Sequence, residues 1–379
     1  MPTESSRRAS PIGPPRATGA RGRRAPRVKP RPRVPLASFC TMGVGGAARY
    51  FLEARDERTV VEAVAWADGR DLALHVLGGG SNLVVADEGV GGLVLKIALR
   101  GVTVHGARGL VHLTAAAGEP WDDLVAFAVA RGWAGLECLS GIPGLVGATP
   151  IQNVGAYGQE VRDTLTRVRA LDRRTGQIAM LSPAECALGY RDSVFKSREP
   201  GRYIVLDVGY RLVPGGAPLV RYADLAQDLA RRGIRSPSLA EVRRSVLDIR
   251  RAKSMVLSAD DENRRSCGSF FVNPIVPSAE AERIAARAGR HAPMPRWSEP
   301  DGRVKLSAAW LVQHAGFERG HRDGRVGLSS RHTLAIVCHD GARASEVVAL
   351  ARTVRGRVEE RFGVRLVPEP VFWGSPGLA

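Results

Sequence analysis

Runs of apolar residues divide the first hundred residues into strands and one helix. The run from Ala48 to Ala54 predicts a strand, and Asp56 fits the N-cap of a helix whose apolar residues recur at helical spacing up to Gly69. Further apolar runs predict strands near 72–76, 84–86 and 93–97. The order of strand, helix, strand, glycine loop and strand predicts an α/β unit of about 60 residues.

After Gly101 the pattern shifts toward strands, so a second domain is predicted to begin there. Two strands around the turn Arg173–Gly176 predict a hairpin, and Ser238 with Glu241 fits the capping box of a helix that runs to about 252. The other predicted elements are strands at 102–105, 110–117, 203–213 and 334–338, and helices at 120–130, 279–288, 305–315 and 344–362.

A glycine loop interrupts the first unit at Gly78-Gly79-Gly80-Ser81-Asn82. Without Cβ atoms, successive N–H groups can point inward and bind an anion, and the Ser and Asn side chains add hydrogen bonds. The stretch is neither a G-x-G-x-x-G fingerprint nor a nucleotide P-loop, which disfavours a Rossmann or kinase-like protein. On this loop alone, a phosphate or pyrophosphate site and a plain hairpin between two strands both remain open.

A second glycine-rich stretch, the wall at 135–158, has six glycines in 24 residues, mixed with apolar residues. Glycine lets main-chain atoms approach a flat ligand closely, so this stretch is a second candidate wall of a cofactor site. Its candidate cofactor contacts are Gly141, Ile142, Gly144, Gly147, Gln152, Asn153, Gly155 and Ala156.

Three further stretches carry candidate chemistry. Gly189–Lys196 places Arg191 in a loop, which is either a surface turn or a guanidinium aimed at a carboxylate. Gly268–Pro274 sets Ser269 beside two phenylalanines, which fits either a plain strand start or a hydroxyl against apolar surface. Near the end of the chain, Glu369 lies between two prolines.

The chain has 379 residues and 44% hydrophobic content, which suggests two or three globular domains. It shows neither a spanning apolar run nor the apolar stretch of a signal peptide, so we expect a cytoplasmic protein. The five cysteines form no C-x-x-C pair, and the histidines lack close ligand spacing. The sequence therefore predicts no disulfide framework and no bound metal.

The net charge of +17 is unevenly distributed along the chain. Residues 1–35 contain nine Arg, one Lys, one Glu and eight Pro, and so carry +9 of that charge. A Pro/Arg segment without apolar periodicity cannot offset its ordering entropy, so we predict a disordered tail at 1–35. It is either inert or binds anionic surfaces.

Together these stretches resemble the UDP-N-acetylenolpyruvoylglucosamine reductase family (MurB), in its type I form, over residues 36–374. Each motif alone is weak, but five of them in family order over most of the chain are specific. They are Gly78–Asn82, Ser140–Gly144 continued by Pro150–Gly158, Gly189–Lys196, Gly268–Pro274 and Pro368–Pro370.

The resemblance implies an α+β, three-domain flavoprotein, with a two-domain FAD-binding scaffold of the PCMH/VAO type and a third, substrate-binding α/β domain. Residues 36–100 with about 364–379 would form the first FAD-binding domain, 101–250 the second, and 251–363 the substrate-binding domain.

The resemblance also implies roles for individual residues. Ser269 takes the place of the proton donor, and Arg191 and Glu369 take the places of the residues that flank the enolpyruvyl carboxylate. The residues that match substrate contacts are Tyr190, Tyr222, Lys253, Asn273 and, where the best-studied members have a glutamine, His314.

The family's reaction implies noncovalent FAD, NADPH as reductant and UDP-GlcNAc-enolpyruvate as substrate, in a monomer that requires neither membrane nor nucleic acid. Hydride passes through the flavin to the methylene carbon of the enol ether, and negative charge develops at the other alkene carbon and the carboxylate. A cation such as Arg191 stabilises that charge. Serine is a poor acid, so Ser269 can protonate the carbon only with help from neighbours such as Glu369 in a dry pocket.

Two other functions remain open at the level of the sequence. One is another FAD-linked sugar or alcohol oxidoreductase on the same scaffold, because a fold does not fix a reaction. Many such enzymes attach flavin through a histidine, and His75, His105 and His112 occupy no obvious attachment motif. The other is a basic nucleic-acid-binding protein, suggested by the pI of about 10.6, although the tail lacks interleaved aromatic residues.

Overall fold

The computed structural model describes residues 28–107, 109–288 and 293–374. The α-helices in these ranges are α1 Glu57–Asp68, α2 Trp121–Ala130, α3 Pro183–Cys186, α4 Ala223–Arg231, α5 Leu239–Ala252, α6 Ser278–Ala288, α7 Ala308–His314 and α8 Ala344–Phe362. Short 3₁₀ turns lie at Ala37–Phe39, Glu137–Leu139, Val146–Ala148 and Val161–Asp163, and a π-helix at Val194–Arg198.

The strands of the N-terminal half are β1 Arg31–Pro35, β2 Ala47–Ala54, β3 Leu74–Leu77, β4 Leu83–Val85, β5 Val90–Ile97, β6 Val102–Ala107, β7 Leu110–Ala116, β8 Trp133–Ala134, β9 Gly155–Ala156, β10 Gln159–Glu160, β11 Leu165–Asp172 and β12 Gln177–Leu181. The later strands are β13 Tyr203–Pro214, β14 Ile275–Val276, β15 Arg296–Ser298, β16 Val304–Leu306, β17 Arg322–Asp323, β18 Val326–Leu328, β19 Ile336–Cys338 and β20 Val371–Trp373.

The first sheet has the strand order β1-β2-β5-β3, in which β5 runs parallel to both β2 and β3. As predicted, Asp56 caps α1, because its carboxylate accepts a 2.8 Å hydrogen bond from the N–H of Thr59. Val60 and Ala63 on α1 are fully buried in one core with Leu93 of β5. The predicted α/β unit is therefore confirmed.

The glycine loop is not a hairpin. It connects β3, which pairs with β5, to β4, which pairs instead with β20 at the far end of the chain. The Val371 N–H donates a 3.0 Å hydrogen bond to the carbonyl of Asn82, so the C-terminal segment lies directly against the loop. This pairing supports the expected return of the C-terminal residues to the first domain.

The second sheet is antiparallel, with the order β12-β11-β13-β7-β6 and β8 paired to β13. The hairpin predicted around Arg173–Gly176 is confirmed as β11 and β12. Leu113 and Val208 of this sheet share a core with Leu93 of the first sheet. The two sheets are therefore packed together around one set of buried side chains.

The third region combines two small sheets, β14-β16-β15 and β17-β18-β19, with α6, α7 and α8. The helix predicted at 305–315 is shorter than expected, because β16 takes up Val304–Leu306 and the Ser307 hydroxyl then caps α7. Gly363 caps the C-terminus of α8, with a φ of 74° in the left-handed region. Apart from β1, the strands of each sheet fall within one of the predicted domain ranges, and the exact boundaries remain a prediction.

The prediction of a disordered tail is wrong at its C-terminal end, because Arg31–Pro35 forms β1 and pairs antiparallel with β2. Proline is tolerated in β1 because β1 is an edge strand, and an edge strand need not donate every backbone hydrogen bond. Residues 1–27 lie outside the described residues. Among the residues described, no helix is long and apolar enough to span a bilayer.

Candidate active site

A cavity of about 390 Å³ lies where the glycine loop, the glycine-rich wall and the third region meet. The three predicted catalytic residues, Arg191, Ser269 and Glu369, lie far apart in the sequence, and all of them line this cavity. The predicted cofactor contacts that also line it are Gly78, Gly79, Gly80, Ser81, Asn82, Ile142, Gly144, Gln152 and Gly155. The structure thus brings all three candidate catalytic residues to the predicted cofactor walls.

Arg191 and Glu369 form an ion pair in this cavity, with 3.4 Å between Nε and Oε1. Their side chains are only 22% and 15% exposed. Arg191 also donates a 2.8 Å hydrogen bond to the carbonyl of Gly155. A guanidinium with a fixed orientation beside a carboxylate can bind a further anionic group of a ligand.

Ser269 comes close to Glu369 because their two segments pair along the backbone. The N–H of Glu369 donates a 2.9 Å hydrogen bond to the carbonyl of Phe270, and Phe271 forms an isolated β-bridge with Pro368. Phe270 and Phe271 are both buried. Ser269, which is half-buried, therefore directly precedes two buried aromatic rings, and the contacts of its hydroxyl remain a prediction.

Side chains of the glycine loop fix its position against the second wall. Ser81 donates a 3.1 Å hydrogen bond to the carbonyl of Pro143, and Asn82 donates one of 3.1 Å to the side chain of Gln152. The ammonium of Lys96 is hydrogen-bonded to the carbonyl of Gly78. The loop is thus held by side chains, which leaves its backbone geometry defined before any ligand binds.

Close approach of backbone explains two of the glycines. A Cβ on Gly80 would lie 1.8 Å from the carbonyl oxygen of Phe39, and one on Gly79 would lie 2.7 Å from the Cα of Gly144. Gly78 differs, since its nearest neighbour would be the Ala148 Cβ at 3.8 Å. Gly79 and Gly80 are therefore required by packing of the loop itself, whereas a Cβ at Gly78 would make only an ordinary van der Waals contact.

Four predicted cofactor contacts do not line the cavity: Gly141, Gly147, Asn153 and Ala156. Gly147 packs on Ala117, where a Cβ would lie 2.5 Å from the alanine Cβ. Asn153 is fully buried and has a φ of 44°. Its amide donates to Glu160 and to the carbonyl of Gly189, so its side chain connects two loops. The structure gives Gly147 and Asn153 supporting roles.

Tyr190 and Asn273 meet at one edge of the cavity, outside its lining residues. The Tyr190 hydroxyl is hydrogen-bonded to Asn273, and burial raises the pKa of that hydroxyl. Lys305 lies over the Tyr190 ring, with Nζ 4.8 Å from the centroid. The Asn273 side chain also accepts a 2.9 Å hydrogen bond from the N–H of Ala308, which ties it to the start of α7.

The other predicted substrate contacts occupy two separate places. Lys253 forms an exposed ion pair with Asp224, at 2.8 Å, and Tyr222 packs edge-on against Tyr157 with centroids 5.5 Å apart. His314 instead stacks on Trp310, with centroids 3.7 Å apart. None of the three predicted contacts lines the cavity, so their substrate roles remain predictions.

Arg250 is a cavity residue that the sequence reasoning missed. It donates a 2.7 Å hydrogen bond to the carbonyl of Met255, but its Nε is buried and has no hydrogen-bond partner among the residues that the structure describes. Burial lowers the pKa of its guanidinium. The available signal was its spacing, because Arg250 continues the buried row of Val242 and Val246 along α5.

The glycine-rich walls of this cavity fall largely within the part of the chain that matches a cofactor-binding family. The family model described as "FAD binding domain" matches residues 48–182, and the one described as "UDP-N-acetylenolpyruvoylglucosamine reductase, C-terminal domain" matches residues 260–373. The protein is thus an FAD-binding oxidoreductase with the expected multi-domain α+β fold.

Relatives identify the family. UDP-N-acetylenolpyruvoylglucosamine reductase of Saccharopolyspora erythraea is 49% identical over 89% of this chain and 94% of its own length. The enzyme of the same name from Streptomyces coelicolor is 46% identical over 90% of this chain and 89% of its own length. This chain belongs to the UDP-N-acetylenolpyruvoylglucosamine reductase family, as the sequence motifs predicted.

A solved structure agrees with this assignment. The crystal structure of UDP-N-acetylenolpyruvylglucosamine reductase (MurB) from Thermus caldophilus superposes with a TM-score of 0.62 at 26% identity. The match covers 91% of this chain and 99% of the other. The similarity therefore extends through all three regions of the fold.

Proposed function

We propose that this protein reduces the enolpyruvyl group of UDP-GlcNAc-enolpyruvate to give UDP-N-acetylmuramate, with noncovalent FAD as cofactor and NADPH as reductant. One observation carries the proposal: Arg191, Ser269 and Glu369 line one cavity with the glycine loop. The family supports the same conclusion, because relatives across the whole chain carry the name of this reductase.

The residues of the cavity fit FAD. The glycine loop lines the cavity, and its backbone N–H groups suit a pyrophosphate while Ser81 and Asn82 hold the loop in place. The unpartnered Nε of Arg250 needs an acceptor, which an anionic cofactor provides. The apolar part of the glycine-rich wall, around Ile142, suits a flat ring. When bound, FAD supplies hydride-transfer chemistry between NADPH and the substrate.

Arg191 stabilises the negative charge that develops on the substrate. Addition of hydride to the methylene carbon places electron density on the neighbouring carbon and its carboxylate. The guanidinium of Arg191 is oriented by Glu369 and by the carbonyl of Gly155, so it need not reorganise as that charge forms. A fixed donor in a site shielded from water is worth far more than the same donor in water.

Ser269 delivers the proton to the carbon that becomes electron-rich. It directly precedes the buried Phe270 and Phe271, and the backbone pairing of Phe270 with Glu369 keeps the serine near that carboxylate. The Arg191 guanidinium in the same cavity stabilises the serinate that this transfer leaves, and solvent then returns the proton to Ser269. Glu369 orients Arg191, and its carboxylate is itself fixed by a 3.1 Å hydrogen bond from Gln152. A positioned acid of this kind typically contributes about 10² to 10⁴-fold in rate.

We assign contacts with the UDP moiety to Tyr190 and Asn273 at one place, to Lys253 and Tyr222 at another, and to His314 on α7. We further propose that the protein acts as a monomer, as the family resemblance implies. The five cysteines are buried and free, which agrees with a reducing, cytoplasmic compartment.

Assay of NADPH oxidation with and without UDP-GlcNAc-enolpyruvate tests the proposal. We expect oxidation that depends on the UDP-sugar and a yellow protein that releases FAD on acid precipitation. Flavin that stays with the pellet contradicts noncovalent binding. Oxidation coupled only to oxygen, with sugars or alcohols as donors, supports the other oxidoreductase activity, and a colourless protein that cannot be reconstituted refutes both.

A further inference from the structure

Lys196 is a cavity residue to which the proposed reaction gives no role. It lies in the π-helix Val194–Arg198, five residues after Arg191, and its side chain is half-buried. Its ammonium donates a 2.8 Å hydrogen bond to the backbone carbonyl of Arg191. The lysine is therefore attached directly to the backbone of the residue that presents the guanidinium.

The backbone of Arg191 needs such support. Its φ of 53° lies in the left-handed region, which a non-glycine residue occupies only at an energetic cost. The turn from Gly189 to Asp192 is closed by an isolated bridge, and Lys196 binds the carbonyl within that turn. Left-handed residues of this kind persist only where surrounding contacts over-determine them.

The charge of Lys196 is not neutralised locally. In the described part of the chain, no carboxylate oxygen lies within 4.0 Å of its ammonium, and the carboxylates that act on it at longer range are Glu369 and Asp192. Burial lowers the pKa of this ammonium. Glu369 is already paired with Arg191, so this side of the cavity carries two cations, Arg191 and Lys196, against one carboxylate.

We propose that Lys196 is a positioning residue for Arg191, which fixes the strained backbone of that arginine and adds a second positive charge beside the substrate carboxylate. This inference rests on the proposed function. Because the charge on the substrate grows as hydride is added, the benefit of Lys196 is larger in the transition state than in the bound ground state.

The test compares Lys196→Met with Lys196→Arg in the FAD-loaded protein. Methionine keeps the apolar stem and removes the charge and the donor, whereas arginine retains both. Arg198→Met is the matched control, since it removes a cation from the exposed end of the same π-helix. Flavin reduction by NADPH and reoxidation by the UDP-sugar are followed separately by stopped-flow absorbance.

In Lys196→Met we expect reoxidation to slow by about 10- to 100-fold, since hydrogen bonds to charged groups contribute about 1.5–3 kcal/mol. The rate of reduction by NADPH should hold, and kcat should fall by a larger factor than KM rises. Lys196→Arg should recover part of the loss, and Arg198→Met should match the wild type. Lys196→Gln replaces the methionine variant if that one is insoluble.

Two outcomes overturn the inference. Unchanged reoxidation in Lys196→Met removes the lysine from the reaction. Equal slowing of both half-reactions, together with a lower thermal midpoint, shows a general structural role. Failure of the proposed function looks different, because the wild-type protein itself would then fail to be reoxidised by the UDP-sugar.

Discussion

Gln152 donates a 3.1 Å hydrogen bond from its side-chain amide to the carboxylate of Glu369. The carbonyl of the same side chain accepts a 3.1 Å hydrogen bond from Asn82, which belongs to the glycine loop. Asn82 also donates to the backbone carbonyl of Glu369 at 3.1 Å. The predicted cofactor loop and the candidate catalytic carboxylate are therefore held in one hydrogen-bonded unit.

Replacement of Gln152 by Leu removes this connection at nearly constant volume. Because hydrogen bonds to charged groups contribute about 1.5–3 kcal/mol, we expect reoxidation of the flavin by the UDP-sugar to slow by about 10- to 100-fold. Gln177→Leu, on the exposed face of β12, serves as the control. Stopped-flow absorbance measures the rate, and a Gln152→Leu protein that turns over normally would show that Glu369 needs no such support.

Local signals predicted much of this structure. Asp56 as a helix cap, the hairpin around Arg173–Gly176 and the long α8 each depend on residues close in sequence, and each is confirmed. The motifs also selected the three candidate catalytic residues that line the cavity.

Features that depend on tertiary contacts were harder to predict. β1 exists only because β2 offers it an edge to pair with. The spacing of Arg250 places it on the buried row of α5, but only the fold shows that this row meets the cavity. Lys196 acts on a carbonyl whose position depends on a strained turn, which no local pattern reports.

Replacement of Arg250 by Met separates cofactor binding from stability. A buried guanidinium with an unpartnered Nε destabilises the protein without its cofactor, so we expect an equal or higher thermal midpoint for the Arg250→Met apoprotein. Its affinity for FAD should fall by about 10- to 100-fold, the effect of one charged hydrogen bond. Flavin fluorescence titration and thermal unfolding of apoprotein and holoprotein measure these quantities.

Arg243→Met is the control for that experiment. Arg243 lies on the same helix and is paired with both carboxylate oxygens of Asp122, at 2.6 and 2.9 Å. Its loss should lower the stability of the apoprotein, because the partly buried Asp122 is then left without its partner. Unchanged FAD affinity in Arg250→Met would contradict the assignment of its guanidinium to the cofactor.

Lys253→Ala should mainly weaken binding of the substrate. The ion pair of Lys253 with Asp224 is exposed on both sides, so its loss should change the free energy of unfolding by no more than about 1 kcal/mol. We expect KM for the UDP-sugar to rise while kcat holds, because a phosphate contact acts equally on ground and transition states. Arg251→Ala is the control, because it removes a similarly exposed ion pair, that of Arg251 with Asp248. A steep fall in kcat would place Lys253 in the chemistry.

His332 should make stability depend on pH. Burial lowers the pKa of its imidazole to about 4, and Lys253 and Arg319 add to the effect. The histidine has a pKa of about 6.5 in the unfolded chain. Between about pH 6.5 and pH 4 it is therefore protonated in the unfolded chain but neutral in the folded protein. Stability is therefore complete above about pH 6.5 and declines as the pH falls toward 4, by at most about 3 kcal/mol.

His332→Asn tests that dependence, because an amide oxygen can still accept the 3.2 Å hydrogen bond that Leu334 N–H now donates to the imidazole Nδ1. Urea unfolding at several pH values should give a flatter profile for this variant than for the wild type. His105→Asn, on the exposed strand β6, should leave the profile unchanged. Parallel profiles for His332→Asn and the wild type would assign the acid sensitivity to other groups.

Ser269→Ala tests the proton donor, and it does so because the reaction divides into two halves. Reduction of the flavin by NADPH needs no acid at this position, so the rate of this first half-reaction should be close to normal. FAD binding should also be close to normal, because the substitution removes one oxygen and changes neither glycine-rich stretch. Reoxidation by the UDP-sugar should slow by at least about 10²-fold, because the carbon that becomes electron-rich then has no positioned acid. Ser269→Cys, which offers a weakly acidic group of similar reach, should recover part of that loss. Stopped-flow absorbance of the flavin reports each half separately: equal slowing of both would give Ser269 a structural role beside Phe270 and Phe271, and an unaffected second half would remove it from the mechanism.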